Sequence, residues 1–373
     1  IGLISYEGKA QVFHVDEREN VKVHDTVKII ALIKSIKKTY EDSKDTDFHG
    51  LVLENVQIKE LSKLVKKLSN QTDDRNKKYV ILGQIYINYF KLIEGLKARN
   101  ATEDFLDKTQ ELIETSKKNK LDILCSELYL LRGHYYSKYK NDYRNSIVNN
   151  QSSIKYAIKS EDTITLVNGY NSQAMNYSGL NRNDKAIEFL HKSLRLLKNP
   201  EQKYTTYVNI GDMYRNIGEY DKSLLSLQKA EAIFLTNNMD IIYGINLDLK
   251  YAGIYTRQKK YKKADERIMH AQKSEESSGN SMFAGRIFYE KGKLYFEQEN
   301  YLRAIEEFEK SIYFQKKNKF SNRDIKLYNA LGKSYYCLDS LDRAKGTLAN
   351  MNLLQLSKSY YLKSLALLPA NQV

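Results

Sequence analysis

Apolar residues recur at spacings of three and four in the N-terminal part of the chain. The positions with this spacing are Ile29, Ile30, Ile33, Ile36, Leu61, Leu64, Val65 and Leu68. Such spacing places side chains on one face of an α-helix. We therefore expect residues 26–68 to be mostly helical, with a polar break that begins at Asp42.

The first 25 residues follow another pattern. Residues 11–15 alternate between apolar and polar side chains, and a turn-like polar run starts at Asp16. Alternation is typical of a strand. A short β-hairpin, a winged-helix remnant and a segment foreign to the protein all remain open for this stretch.

From about residue 120 the pattern becomes a repeat. A small residue is followed three positions later by tyrosine, and the pair returns every 37 to 41 residues. The pairs are Gly133/Tyr136, Ala174/Tyr177, Gly211/Tyr214, Ala252/Tyr255, Gly292/Tyr295 and Gly332/Tyr335. This period is typical of stacked helical repeats.

A second small residue follows the tyrosine by nine positions, and a large apolar residue follows that by four. The second small residues are Ala186, Ser223, Ala264, Ala304 and Ala344, whereas the first unit has Asn145 there. The apolar residues are Leu190, Leu227, Ile268, Phe308 and Leu348. Small residues allow two helices to approach closely, and positions four apart share one helix face. Each unit is thus predicted to be a helical hairpin that buries its apolar stripe only by stacking on its neighbours.

The segment from Tyr204 to Ser223 and the segment from Gly292 to Ile305 resemble the tetratricopeptide repeat (TPR) family in their order of aromatic, small residue, tyrosine and small residue. The family period is about 34 residues, so longer helices or longer loops are expected here. The resemblance implies an all-α, right-handed superhelical solenoid of about six to seven hairpins. We expect an N-terminal region (1–70), a divergent hairpin (71–119), in which Gly83 and Tyr86 form a pair, and the repeat array (120–373).

Composition narrows the range of partners. There are 60 Lys and Arg residues against 46 Asp and Glu residues, which gives a net charge of +14. Such a surplus fits an acidic partner or a Lys-rich solvated surface. Nucleic-acid binding through the Lys-rich turns at 117–120, 259–263 and 316–319 is one alternative, and it requires a steep dependence of affinity on salt.

Enzyme signatures are missing from the sequence. The six histidines lack metal-ligand spacing, the two cysteines lie far apart, and the known glycine-rich and nucleophile motifs do not occur. We therefore expect a non-catalytic protein without cofactor or metal. The sequence has no apolar run long enough to span a membrane. A cytoplasmic location is the expectation, while a removed signal peptide stays open.

In the TPR family the first helix of each repeat lines a concave groove, and the resemblance implies which positions face it. The inward positions carry mainly amide and basic side chains: Asn168, Asn171, Asn209, Asp212, Arg215, Asn216, Asn246, Lys250, Arg257, Arg286, Tyr289, Asn329 and Lys333. Ser172, Lys293 and Tyr336 share those positions, and His134 is expected on the same face.

These residue types suit an extended peptide. A carboxamide offers a donor and an acceptor to a peptide backbone, and Arg or Lys can hold a carboxylate. Asn209 and Lys250 resemble positions of the carboxylate clamp of chaperone-binding TPR domains, but Asn171 and Met175 replace the Lys and Asn of that clamp. The match to the clamp is therefore partial.

A weaker resemblance links the chain to bacterial peptide-pheromone receptors, including Rap phosphatases and peptide-responsive transcription regulators. It implies a TPR array that binds a short peptide and an N-terminal helical region that gives the output. The leading interpretation is a peptide- or protein-binding scaffold with a regulatory or signalling role. The alternatives are a peptide-responsive transcriptional or quorum-sensing receptor and the nucleic-acid binder. The sequence leaves the oligomeric state undetermined.

Overall fold

A computed structural model describes residues 23–42, 56–70, 74–97, 104–279, 281–318, 325–344 and 351–367. Every regular element in these ranges is an α-helix, as the repeat pattern predicts. Most of the segment for which a hairpin or a winged-helix remnant was predicted, residues 1–22, lies outside the described residues. Its last three residues belong to a helix that begins at Val23. The helices are α1 (Val23–Asp42), α2 (Val56–Ser69), α3 (Asp74–Lys97), α4 (Phe105–Lys118), α5 (Asp122–Tyr139), α6 (Tyr143–Lys159), α7 (Thr163–Gly179), α8 (Asn183–Leu196), α9 (Pro200–Asn216), α10 (Tyr220–Thr236), α11 (Ile241–Arg257), α12 (Tyr261–Ser277), α13 (Ala284–Glu297), α14 (Tyr301–Lys317), α15 (Ile325–Ala344) and α16 (Met351–Leu365).

The chain divides into two compact units, residues 1–196 and 197–373. In the first unit, the core of α1 to α5 is built from residues such as Ile29, Leu61 and Phe90, which are fully buried. In the second unit, separate apolar clusters fill the spaces between successive hairpins. The sequence-based division at residues 70 and 120 stays a prediction.

The two helices of a hairpin meet at the small residues. In the second unit, Ser223 of α10 donates a hydrogen bond of 2.6 Å to the carbonyl of Gly211 in α9. The contact at Gly292 is closer, because an ideal Cβ there would lie 2.6 Å from the ring of Phe308. Phe308 is fully buried. Glycine is therefore required at the helix crossing in α13.

The repeat tyrosine has a second role at the turn between the helices. The carbonyl of Tyr214 accepts a hydrogen bond from the Glu219 amide, and Gly218 between them has a φ of 83°. This geometry is that of a Schellman-type helix end. The same bond closes three other hairpins, through the carbonyls of Tyr177, Tyr255 and Tyr295, whereas the Tyr136 carbonyl accepts from Asp142, one residue further on.

The structure explains the irregular first unit and corrects the prediction for the last one. In the first unit of the repeat, Ser146 and not Asn145 meets α5, with a hydroxyl bond of 2.8 Å to the Gly133 carbonyl. The turn before α6 is one residue longer, which shifts the register by one.

In the last hairpin, Ala344 belongs to α15 and not to the second helix. No residue of α15 adopts a positive φ, so the first helix continues where the other units turn. Ser357 of α16 takes the predicted place, with a bond of 2.8 Å to the Gly332 carbonyl. The expected apolar partner Leu348 lies outside the described residues.

Within each unit, the first helices of successive hairpins lie next to one another. Odd-numbered helices contact each other in the order α1, α3, α5 and α7 in the first unit, and α9, α11, α13 and α15 in the second. Among the described residues, even-numbered helices make no comparable contacts with each other. The odd-numbered helices therefore form the more closely spaced surface of each unit, which we call its inner face.

The helix crossing at Gly292 gives a stability prediction. Gly292→Ala should lower the free energy of unfolding by about 1–3 kcal/mol, because the new methyl group overpacks the site against a buried ring. Gly95→Ala is the matched control, since an ideal Cβ at this helical glycine has no heavy atom within 4 Å. The control should raise stability by about 0.5–1 kcal/mol. Chemical denaturation measures both, and a Gly292→Ala protein as stable as the wild type would contradict the close crossing.

Candidate ligand-binding groove

Ion pairs join neighbouring helices on the inner face of the second unit. The Asp212 carboxylate of α9 lies 2.5 Å from Lys250 Nζ of α11 and 3.0 Å from Arg215 Nη2. All three side chains are largely shielded from solvent. One carboxylate thus fixes two cationic groups that were predicted from the sequence to share a face.

A second set of contacts crosses three helices. Arg286 Nη2 of α13 donates a hydrogen bond of 2.8 Å to Asn246 Oδ1 of α11. Burial raises the pKa of Tyr204 in α9 to about 12, although a hydrogen bond from the Asn246 side chain acts in the opposite direction. The Tyr204 hydroxyl also donates to the Tyr243 carbonyl at 2.6 Å. Asn246 is therefore held between a buried tyrosine and an exposed guanidinium.

The third contact was missed by sequence reasoning. Glu290 of α13 pairs with Lys293 at 2.5 Å. An ideal Cβ on Gly253 of α11 would lie 3.4 Å from Glu290 Oε2 and 3.7 Å from Arg215 Nη1. Glu290 stands two positions before Gly292, as Lys250 stands two before Ala252, so the same register could have identified it.

The other predicted groove residues vary in exposure. Asn209 is half-buried, and so is Tyr289, whose ring lies 5.8 Å from that of Phe308 and 5.0 Å from Lys293 Nζ. Lys333 is exposed, 4.8 Å above the Phe296 ring. The remaining members of the set in the second unit are exposed, namely Asn216, Arg257, Asn329 and Tyr336.

The inner face of the first unit carries its own polar contacts. His134 Nε2 of α5 lies 2.9 Å from Ser172 Oγ of α7. Beside it, Asn171 is half-buried and its Oδ1 atom is shielded without a hydrogen-bond partner, while Asn168 is exposed. Burial and the nearby Lys138 lower the pKa of His134 to about 4. His134 is thus neutral at neutral pH.

The first unit also holds a pair that sequence reasoning missed. Lys37 of α1 lies 2.5 Å from the Glu127 carboxylate of α5. Burial acts to lower the pKa of Lys37, but the Glu127 carboxylate outweighs it and the pKa is raised. Glu127 stands six positions before Gly133, as Asn246 and Arg286 stand six before their own small residues. The repeat register could therefore have identified Glu127 as an inner-face residue.

The contacts described so far involve amides, hydroxyls and ion pairs rather than metal-ligand sets. Within the described ranges, no group of three or more His, Cys, Asp or Glu side chains is placed to hold a metal ion. None of the described helices combines the length and the apolarity needed to cross a lipid bilayer. The inner faces therefore offer recognition chemistry based on hydrogen bonds and charge.

Comparison with known proteins bears on the repeat itself. A family model described as tetratricopeptide repeat matches residues 204–234 and 285–318. These segments are tetratricopeptide repeats. They correspond to α9 with α10 and to α13 with α14, so the TPR resemblance of the sequence is confirmed. Comparison with curated protein sequences gives no match.

Solved structures extend the likeness beyond the two matched repeats. RapI in its apo form is 16% identical with a TM-score of 0.58, over 76% of this chain and 97% of RapI. Aspartyl phosphate phosphatase F from Bacillus subtilis is 15% identical with a TM-score of 0.58, over 95% and 96% of the two chains. A Rap protein in complex with competence and sporulation factor is 14% identical with a TM-score of 0.53, over 92% and 98%. At these identities the likeness shows a shared all-α TPR fold.

The neutral His134 gives a pH prediction. The pKa of about 4 in the folded state lies below the value near 6.5 in the unfolded chain. The unfolded state therefore takes up a proton at a higher pH than the folded state. The contribution of neutral His134 to stability is full above pH 6.5 and is lost as the pH falls towards 4.

His134→Gln should reduce this acid destabilisation. The difference in melting temperature between pH 7.5 and pH 5 should be smaller in the variant than in the wild type. His191→Gln is the control, because His191 is exposed. Equal pH dependence in wild type and His134→Gln would show that His134 is protonated alike in both states.

Proposed function

We propose that this protein is a non-catalytic regulatory scaffold that binds an extended peptide or protein segment on the inner face of its second unit. The observation that carries the proposal is the joining of α9, α11 and α13, the first helices of three consecutive repeats, by polar contacts of Asp212 with Lys250 and of Asn246 with Arg286. Such contacts hold donors and acceptors in place before a ligand arrives. Pre-organisation lowers the entropy that binding costs.

The charge balance of this face favours an acidic ligand. Arg215, Lys250, Arg286 and Lys293 stand against two carboxylates, Asp212 and Glu290. Arg286 bonds to a neutral amide oxygen through one of its five N–H groups. Its remaining donors suit a planar carboxylate, which Arg can bind with two parallel hydrogen bonds.

The fold neighbours support a regulatory setting. One of them is a Rap protein complexed with competence and sporulation factor. A peptide-responsive regulator is accordingly the second form of the proposal. In that form, the first unit would transmit the signal.

The sequence also motivates an alternative, nucleic-acid binding. Lys259, Lys260, Lys262 and Lys263 are all exposed around the turn between α11 and α12. Binding of a single-stranded oligonucleotide with a steep loss of affinity in salt would favour that alternative. A flat salt response would exclude it.

Two substitutions test the groove. A peptide is first selected against the full chain from a displayed library of random decapeptides, and its affinity is measured by fluorescence anisotropy. Asn209→Ala and Lys250→Ala should each weaken binding about tenfold, or about 1.4 kcal/mol. The fold should persist without Lys250, because Asp212 keeps its contact with Arg215.

The matched control is Lys273→Ala. Lys273 is exposed on α12, outside the inner face. It should leave both affinity and melting temperature unchanged. Wild-type affinity in both groove variants, or equal loss in the control, would contradict the assignment of the groove.

A further inference from the structure

The last helix carries apolar side chains on its exposed side. In α16 the exposed fractions are 40% for Leu354, 38% for Tyr361, 54% for Leu362 and 49% for Leu365. Leu354, Tyr361 and Leu365 are seven and four positions apart, so they form one stripe along the helix. The side of α16 that contains Ser357 and Ser364 is buried against α15. Leu354 and Leu365 therefore lie beside the intrahairpin contact and face outward, while Tyr361 borders that contact against Gly332 of α15.

The register of the repeat shows what this stripe corresponds to. Tyr361 lies against Gly332 of α15 as Phe308 of α14 lies against Gly292 of α13. This aligns α16 with α14 and places Leu354 at the position of Tyr301 and Leu365 at the position of Ile312. Tyr301 and Ile312 pack in one cluster with Leu327 and Leu331 of the following helix, α15.

The contact with the following helix recurs one repeat earlier. Tyr261 of α12 holds the same register position as Tyr301, and its hydroxyl donates a hydrogen bond of 2.7 Å to the Glu297 carbonyl of α13. The stripe on α16 thus corresponds to the surface on which α12 and α14 receive the next helix. In the described part of the chain, no helix follows α16.

Charge decides which partner fits this surface. Lys358 stands on the same row as Leu354 and Leu362, where α14 has the buried Ile305. A helix that docked as α15 docks on α14 would cover the Lys358 ammonium, which is costly unless a carboxylate pairs with it. α16 itself has no acidic residue from Met351 to Leu365 and has a second lysine, Lys363.

A second copy of the chain fits less well. In a symmetric dimer the same patch meets itself, so two Lys358 ammonium groups would enter an interface to which α16 contributes no carboxylate. We propose that α16 is the docking site for an amphipathic helix of a partner protein, whose apolar stripe includes an Asp or Glu side chain opposite Lys358. This site is separate from the polar inner face.

Two synthetic amphipathic peptides of about 18 residues, or five turns, serve as probes. They share one Leu/Ala stripe and differ in a single position within it, which is Glu in one and Lys in the other. Fluorescence anisotropy with the full chain should give at least tenfold tighter binding of the Glu peptide. Lys358→Glu should reverse the preference, since the carboxylate would then meet the Lys peptide.

A pair of exposed leucines supplies the control. Leu365→Ser should weaken binding of the Glu peptide about tenfold, whereas Leu302→Ser should not, because Leu302 is 62% exposed on α14 and lies outside the stripe. Circular dichroism should show both variants folded. Equal affinity for the two peptides, or equal loss in the two leucine variants, would overturn the proposal. The proposal would also be overturned if the wild-type chain self-associates in analytical ultracentrifugation and Leu365→Ser abolishes this self-association. The occupant would then be a second copy of the chain.

Discussion

The close approach of two helix backbones inside each hairpin is the constraint on which the structure depends. It is seen where Ser146, Ser223 and Ser357 donate to the carbonyls of Gly133, Gly211 and Gly332. A helix carbonyl already accepts one bond from its own helix, so the hydroxyl uses its second lone pair. The large residues four positions on, Leu227 and Phe308, lie against the glycine of their own hairpin and share an apolar cluster with the next hairpin. The repeat therefore couples the inside of one hairpin to its neighbour.

This division of roles leaves the inner-face positions out of the packing. The side chains of Asp212, Lys250 and Arg286 project from helices that are held by other residues. The Asp212–Lys250 ion pair and the hydrogen bond from Arg286 to Asn246 set their geometry. A ligand that meets them encounters groups that have already lost much of their rotamer freedom. The same contacts also neutralise part of the charge, so the proposed ligand would be selected by the arrangement of donors and by the remaining cation excess.

The sequence predicted the helical hairpins well because the signal is local. Gly211 and Tyr214 mark a crossing and a turn within one hairpin, and every unit repeats them. It failed at Ala344, where a longer first helix moved the register, and it found no small residue for the first unit, where a longer turn places Ser146 at the crossing. It also could not place Asp248, which is buried in α11 between Arg267 at 2.8 Å and His270 at 2.5 Å. Those partners come from a different helix, and repeat spacing says nothing about such a polar contact.

Stacked repeats also explain why one chain can present two kinds of surface. Each repeat interface is apolar and is made by the same register positions, for example Phe308 with Leu331 between α14 and α15. Those positions are apolar in the last helix as well, because the pattern that builds an internal interface continues to α16. The side chains of the inner face differ from repeat to repeat, as Asn209, Lys250 and Glu290 show at one register position. Recognition on the inner face can therefore change by substitution, whereas the surface of α16 keeps the chemistry of a helix interface and differs from it mainly at Lys358.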